Sequence, residues 1–199
     1  MYDSLSRLNN EIKDCTGCVL YKTRTHSVIG EGNPESKLFI IAQAPGDQED
    51  LKNRMFVGPS GGIFRELIKK AGLTWNDFYI SNLIKCRLPQ CRKPKIAEIR
   101  ACSSYLDREI KIIKPEIMAP LGYYAARYLL QKYEIANDLP KAEFPDLIGK
   151  TITTDNNIIF PLSHPASALY HPAWEKNMVS VYKKLVEINK DIKLDKKKK

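Results

Sequence analysis

The sequence predicts an α/β domain in which a parallel sheet is covered by helices on both faces. Short, wholly apolar runs of strand length alternate along the chain with segments of helical periodicity. Strands buried on both faces read as such unbroken apolar runs, and strands separated by helices argue for a parallel sheet. At 199 residues with 43% hydrophobic content, the chain is long enough for one domain with a sizeable core.

The elements follow in order. Leu5 to Lys13 is an amphipathic helix. Leu38-Phe39-Ile40-Ile41-Ala42 is a buried strand. Ile63 to Ala71 reads as a helix opened by Gly61-Gly62 and closed at Gly72. Phe78 to Ser81 is a second strand. Ile96 to Ile113 is a long helix, with Ile99, Cys102, Leu106, Ile110 and Ile113 at helical spacing and Pro115 as its stop. Ile117 to Leu121 is a third strand, followed by a helix over Ala125 to Lys132. Ile158 to Leu162 is a fourth strand, and a last helix runs from about Trp174 to Ile188. Tyr133 to Thr154 reads as irregular or as a hairpin. The domain is placed at 1–195, with 196–199 a basic, disordered tail.

The formal net charge is +9, and the four lysines of the tail supply less than half of it. A body that is basic in its own right points to nucleic acid as the leading class of partner. No N-terminal apolar stretch resembles a signal peptide and no run is long and apolar enough to span a membrane, so the sequence reads as cytosolic, with no membrane partner.

Four of the five cysteines fall into a ligand pattern. Cys15 and Cys18 form a C-x-x-C pair, which puts two thiolates on one tight turn. Cys86 and Cys102 form a second pair, with fifteen residues between them. A metal ion or cluster on all four would clip the N-terminal segment to the middle of the domain, and spacing alone accepts either Zn²⁺ or an Fe–S cluster. Disulfides are disfavoured in a cytosolic chain. The stretch between Cys86 and Cys102 carries Arg87, Arg92, Lys93, Lys95 and Arg100 against Glu98 alone, which suggests a surface that meets an anion. Cys91, left over inside it, reads as a bystander.

In parallel α/β sheets, ligands bind beyond the carboxyl ends of the strands. The first strand ends in Gln43-Ala44-Pro45-Gly46, followed by Asp47-Gln48-Glu49-Asp50. The second ends in Ser81-Asn82, the third near Gly122, and the fourth in Ser163-His164-Pro165-Ala166. Amide, carboxylate and imidazole groups thus converge on one edge. The segment Phe56-Val57-Gly58-Pro59-Ser60-Gly61-Gly62 reads as a loop able to close over it. Asp50 reads as a weaker candidate than Glu49 for a functional carboxylate, or as a helix or turn cap, and His26 and His171 read as surface or packing residues.

In this order the motifs resemble the family 4 uracil-DNA glycosylases, the iron–sulfur branch of their superfamily. The resemblance rests on Cys15-Thr16-Gly17-Cys18, Gly30-Glu31-Gly32, Ala44-Pro45-Gly46 with Glu49-Asp50, Phe56-Val57-Gly58, Ser81 to Arg87, Cys102, Pro120-Leu121-Gly122 and His164-Pro165-Ala166. It runs from about Leu5 to Val186. It implies a three-layer α/β/α fold with a central four-stranded parallel sheet, and a [4Fe–4S] cluster on Cys15, Cys18, Cys86 and Cys102. Three positions depart from the pattern: Gln43 for the usual Glu, Met55 for the usual Pro and Leu88 for the usual Pro; Ala44 stands where family 1 relatives carry an activating Asp.

The resemblance implies an enzyme that flips uracil out of single- or double-stranded DNA and hydrolyses its N-glycosidic bond. Phe56 would stack on the base and Asn82 would read its N3–H and O4. Backbone amides near Gln43 and Ala44 would bind O2, to which His164 would also donate. Glu49 would orient the attacking water or bar the thymine methyl. Arg87, Arg92 and Lys93 would meet phosphates, and Leu169 and Tyr170 would wedge into the gap left by the base. A cytoplasmic prokaryotic protein, thermophilic and monomeric, is implied with it. Two other readings stand beside it: a non-catalytic Fe–S or zinc nucleic-acid-binding module, and a glycosylase of broader deaminated-base specificity.

Overall fold

The computed structural model describes residues 4–197. Strands β1 (Glu31–Gly32), β2 (Leu38–Ala42), β3 (Tyr79–Asn82), β4 (Ile117–Pro120), β5 (Ile152–Thr153) and β6 (Ile158–Ile159) form one sheet in the order β1-β3-β2-β4-β6-β5. The central four, β3, β2, β4 and β6, are parallel. They are the four strands expected from the sequence. Each edge gains a two-residue antiparallel strand, β1 on β3 and β5 on β6, so the sheet is mixed and not wholly parallel. The segment 133–154, read as irregular or as a hairpin, holds a short helix at Phe144–Leu147 and ends in β5, which pairs with β6 beyond it.

Strand alternation sorts the core into two halves. Leu38, Ile40 and Ala42 face one layer, while Phe39 and Ile41 face the other. The first layer is closed by α3 (Pro59–Ala71) and α8 (Glu175–Lys197), through Phe64, Leu67, Tyr182 and Leu185. The second is closed by α4 (Ile96–Ile113) and α5 (Tyr123–Lys132), through Leu106, Ile110, Ala126 and Leu129. This is the three-layer arrangement. Outside it, α1 (Leu5–Lys13) buries Leu8 and Ile12 and packs on α4.

Local chemistry explains the ends. Ser4 caps α1, its Oγ accepting Arg7 N–H at 3.3 Å. Glu98 caps α4, its Oε2 accepting Lys95 N–H at 2.8 Å. Several boundaries differ from expectation: β6 ends at Ile159 and not Leu162, α5 begins at Tyr123 and not Ala125, and β3 is shifted by one residue. α3 begins at Pro59, so Gly61 and Gly62 lie inside the helix and do not open it. Proline suits that first turn because its missing N–H has no helical partner to lose. The last helix begins at Glu175 and continues to Lys197. It includes two lysines of the expected tail, and 198–199 lie outside the described residues. Three further short helices are α2 (Asp47–Lys52), α6 (Phe144–Leu147) and α7 (Ala166–Tyr170).

Candidate active site

β3 and β4 flank β2 on opposite sides, so the chain reverses its winding beside β2. A crevice is expected at the carboxyl ends of strands around such a point. A pocket of about 630 Å³ lies there, lined by Gln43, Ala44, Glu49, Phe56, Asn82 and His164 among others. That is the whole set predicted to surround the base, and the size suits a small-molecule or base site. Arg87, Arg92, Leu169 and Tyr170 also line it. Lys93 does not, and is exposed on the segment before α4. Leu169 and Tyr170 end α7 with 44% and 78% of their surface open, as a wedge requires.

Asn82 closes β3, paired with Ala42 and almost wholly buried. Its main-chain carbonyl accepts Lys85 Nζ at 2.7 Å, and its Nδ2 donates to Met55 Sδ at 3.2 Å. Beyond the formal strands the ladder persists, with Leu83 N–H to Ala42 O at 2.8 Å and Ile84 N–H to Gln43 O at 2.9 Å. The segment carrying Asn82 is therefore fixed to the segment carrying Gln43.

Phe56 is not on a mobile flap. It is buried, with φ at +53°, and it stacks on Phe64 with ring centroids 4.4 Å apart. Left-handed backbone is uncommon for an aromatic residue and needs support from its surroundings. Arg65 Nη1 donates to the Phe56 carbonyl, and Gly61 lies so close that a Cβ there would come within 2.0 Å of that oxygen. The expectation of a closing loop over Phe56 to Gly62 is thus corrected: half of it is helix, and Phe56 is clamped.

Glu49 sits in the first turn of α2. Its Oε1 accepts Gly58 N–H at 2.6 Å, and a Cβ on Gly46 would come within 2.6 Å of its Oε2. The carboxylate is therefore wedged between two glycine backbones at the pocket wall. Asp50, next to it, faces away and is buried. It accepts Thr25 N–H at 2.9 Å and His26 N–H at 3.3 Å, and its role is to hold that loop. His26 returns a contact from Nδ1 to Asp50 O at 2.8 Å.

His164 lies beside Gly122, whose φ of +83° would strain any side chain and where a Cβ would stand a tight 3.2 Å from His164 Cβ. The His164 ring is partly open to the pocket, yet protein surrounds it. That desolvation holds its pKa down at about 4 against an ordinary 6.5. Ala166 N–H donates to His164 Nδ1 at 3.2 Å. Nδ1 is then an acceptor, and a neutral ring carries its one proton on Nε2. The site therefore holds an uncharged imidazole with an N–H to give.

The cationic side chains are more engaged than their sequence suggests. Arg87 donates to Asp47 Oδ1 at 3.0 Å and to Thr23 O at 3.2 Å. Arg92 donates to Glu98 Oε2 at 2.9 Å, an ion pair with a buried carboxylate whose pKa the guanidinium pulls down. The sequence reading missed Met55 and Cys91 as lining residues of the pocket. Cys91 is exposed on a turn where it and Gln90 both take positive φ. His171, read as a surface or packing residue, stacks on Trp174 at 4.6 Å.

Cys15, Cys18, Cys86 and Cys102 line one separate, largely apolar cavity, with Tyr21, Arg24 and Tyr105 at its wall. Among the described residues, no three His, Cys, Asp or Glu side chains are gathered as a site for a single ion. Three of the four sulfurs accept N–H groups: Cys15 from Gly17 at 3.4 Å, Cys86 from Arg24 Nη1 at 3.2 Å, and Cys102 from Lys85 N–H at 3.3 Å. Burial pushes the Cys86 thiol up and the Cys102 thiol to about 11. Buried thiolates need a cation beside them to persist. The donor set fits a metal centre bound by thiolate sulfur.

The sequence model of the uracil DNA glycosylase superfamily matches residues 29–193. A type-4 uracil-DNA glycosylase of Sulfurisphaera tokodaii is 38% identical over 94% of this chain and 85% of its own length. That of Saccharolobus solfataricus is 36% identical over 97% and 91%, and that of Archaeoglobus fulgidus 33% identical over 94% of each. Among the described residues, no helix is long and apolar enough to cross a membrane.

Proposed function

This chain belongs to the uracil-DNA glycosylase superfamily, and from that premise we propose a reaction and a role for each group in the pocket. It is a DNA glycosylase that hydrolyses the N-glycosidic bond of uracil in DNA and leaves an abasic site and free uracil. It is a repair enzyme and acts as a monomer in the cytoplasm, on single- or double-stranded DNA.

The target base leaves the stack at a cost of about a few kcal/mol. Leu169 and Tyr170, exposed at the mouth, fill the gap. The flipped uracil lies on Phe56. Asn82 accepts from N3–H and donates to O4, a pattern that the 4-amino group of cytosine does not match. As the C1′–N1 bond breaks, its electron pair moves into the uracil ring and charge gathers on O2. His164 Nε2–H and the backbone near Gln43 and Ala44 receive that charge. Water adds to C1′ and loses a proton, and uracil departs as the anion or takes the proton up. Glu49 orients the water.

The observation that carries this reading is the hydrogen bond from Ala166 N–H to His164 Nδ1, which leaves the ring proton of a neutral imidazole on Nε2. Burial keeps the ring neutral. A neutral donor strengthens its bond as the leaving group becomes an anion, and it costs no desolvated charge beforehand.

Cys15, Cys18, Cys86 and Cys102 hold a [4Fe–4S] cluster. Four cysteine sulfurs around one cavity suit a thiolate-bound centre, and the resemblance to the iron–sulfur branch of the superfamily favours a cluster over Zn²⁺. The cluster supplies a structural tie among the N-terminal segment, the end of β3 and α4, and no step of hydrolysis needs it. Phosphates are met by Arg87, Arg92 and the exposed Lys93.

The test is incubation of the protein with a uracil-containing oligonucleotide, followed by alkali to cut abasic sites. Strand breaks at uracil and none at cytosine are expected, with His164→Ala slower by on the order of 10²–10³ in single-turnover rate. No cleavage by the wild-type protein, or full rate in His164→Ala, rejects the reading.

A further inference from the structure

We infer that Met55 is a specificity-determining residue, which fixes the direction in which Asn82 presents its amide and so favours uracil over cytosine. The inference rests on the reading of Asn82 as the group that meets the base edge.

An Asn side chain that reads a pyrimidine has two orientations, related by a half-turn of its amide. One places the oxygen toward N3–H and the NH₂ toward O4, which matches uracil. The other places the NH₂ toward an unprotonated N3 and the oxygen toward an amino group, which matches cytosine. A neighbour that accepts a hydrogen bond from the amide NH₂ biases the choice toward uracil.

In this chain Asn82 Nδ2 stands 3.2 Å from Met55 Sδ. A thioether sulfur has lone pairs and no proton, so it accepts a hydrogen bond and gives none. An amide NH₂ has two protons. With one given to Met55, the other is left for the base. After a half-turn the Asn82 oxygen would face the sulfur, two acceptors would meet, and the contact would be lost. The sulfur thus supports the uracil-reading orientation and opposes the other.

Both partners are enclosed and anchored at the backbone. Met55 and Asn82 are both buried, with 3% and 2% of their surfaces exposed. Met55 N–H donates to Glu31 Oε1 at 2.8 Å, and that carboxylate is also held by Arg54. The Asn82 backbone is pinned by the β2 ladder and by Lys85 Nζ. The amide torsion is the free variable, and Met55 sets it. A proline, or any aliphatic side chain, at position 55 would supply no acceptor.

The test measures dissociation constants for two oligonucleotides, one with 2′-fluoro-2′-deoxyuridine and one with 2′-fluoro-2′-deoxycytidine, in which fluorine suppresses cleavage. Wild type, Met55→Leu and Asn82→Ala are compared. Wild type should prefer the uridine oligonucleotide, and Asn82→Ala should lose that preference. Met55→Leu keeps the volume and removes the acceptor. It should lower the uridine-to-cytidine preference roughly three- to tenfold, the worth of one modest hydrogen bond, while uridine binding changes less. Three results would overturn the inference. An unchanged preference in Met55→Leu, with Asn82→Ala behaving as expected, removes the role of Met55 alone. Equal weakening of both oligonucleotides by Met55→Leu reduces Met55 to packing. An unchanged preference in Asn82→Ala removes the base-reading assignment, and the Met55 role with it.

Discussion

Lys85 Nζ lies 2.6 Å from Glu109 Oε2, and neither side chain is open to solvent. The same ammonium donates to Ser81 Oγ and Asn82 O, each at 2.7 Å, and Ser81 Oγ donates to Glu109 Oε1 at 2.9 Å. Lys85 thus ties α4, which carries Cys102, to the end of β3, which carries Asn82. Breaking such a pair strands a buried charge and costs about 3–5 kcal/mol, whereas replacing both partners with apolar residues costs far less. Lys85→Met and Glu109→Leu should each lower stability by about that amount. The double variant should be more stable than either single one. Denaturant titrations of the three variants check this ordering.

The behaviour of His164 with pH follows from its burial. The unfolded chain binds a proton at this ring near 6.5, but the folded chain does so only near 4. Between those values the unfolded state carries more protons, so stability falls as pH drops through the window. Above 6.5 the contribution is flat. His164→Gln should show a shallower loss of stability from pH 6.5 to 4 than wild type. An NMR titration of the free protein should place the ring near 4. A ring that titrates at its ordinary value would undo the neutral-donor argument.

Much of this was legible beforehand, and the rest has physical reasons for its silence. β2 and α4 were bounded to the residue because their apolar patterns are unbroken and end at polar or helix-stopping residues. Asn82, His164, Phe56 and Glu49 were legible because strand ends share one edge. α2 escaped because six residues, DQEDLK, carry no apolar period. β1 and β5 escaped because two-residue strands leave no pattern. The clasp of Arg92 by Glu98 and the contact of Asn82 with Met55 depend on how loops return in space. Residues 27 apart in sequence, as in the latter pair, give no local signal.

Gly61 was misread for a reason that now supports a prediction. Glycine inside a helix costs about 1 kcal/mol relative to alanine, so it reads as a boundary. Here the missing Cβ is what lets α3 lie against the Phe56 backbone. Gly61→Ala should improve helix propensity and still damage the site, because Phe56 must shift. Uracil excision should fall by at least tenfold, roughly the effect of an ångström-scale misplacement. Gly62→Ala is the control, since a Cβ there meets nothing within 4 Å. It should leave activity intact and raise the melting temperature slightly.

The cysteines separate by burial and by partner. Cys86 and Cys102 are buried, accept N–H groups and line a cavity with Cys15 and Cys18. Cys91 is exposed and lies at the other pocket. Protein purified without oxygen should be brown and contain iron and sulfide. Cys91→Ser should keep the colour and the iron. Cys102→Ser should lose both, and because its sulfur lies under Lys85 N–H it should also loosen the turn that leads back to Asn82. Removing the metal by chelation from wild type should therefore weaken uracil excision indirectly, through lost stability. At temperatures where the stripped protein remains folded, the single-turnover rate should persist. Zinc in place of iron on elemental analysis would reject the cluster. A stripped, folded protein with no residual rate would reject its purely structural role.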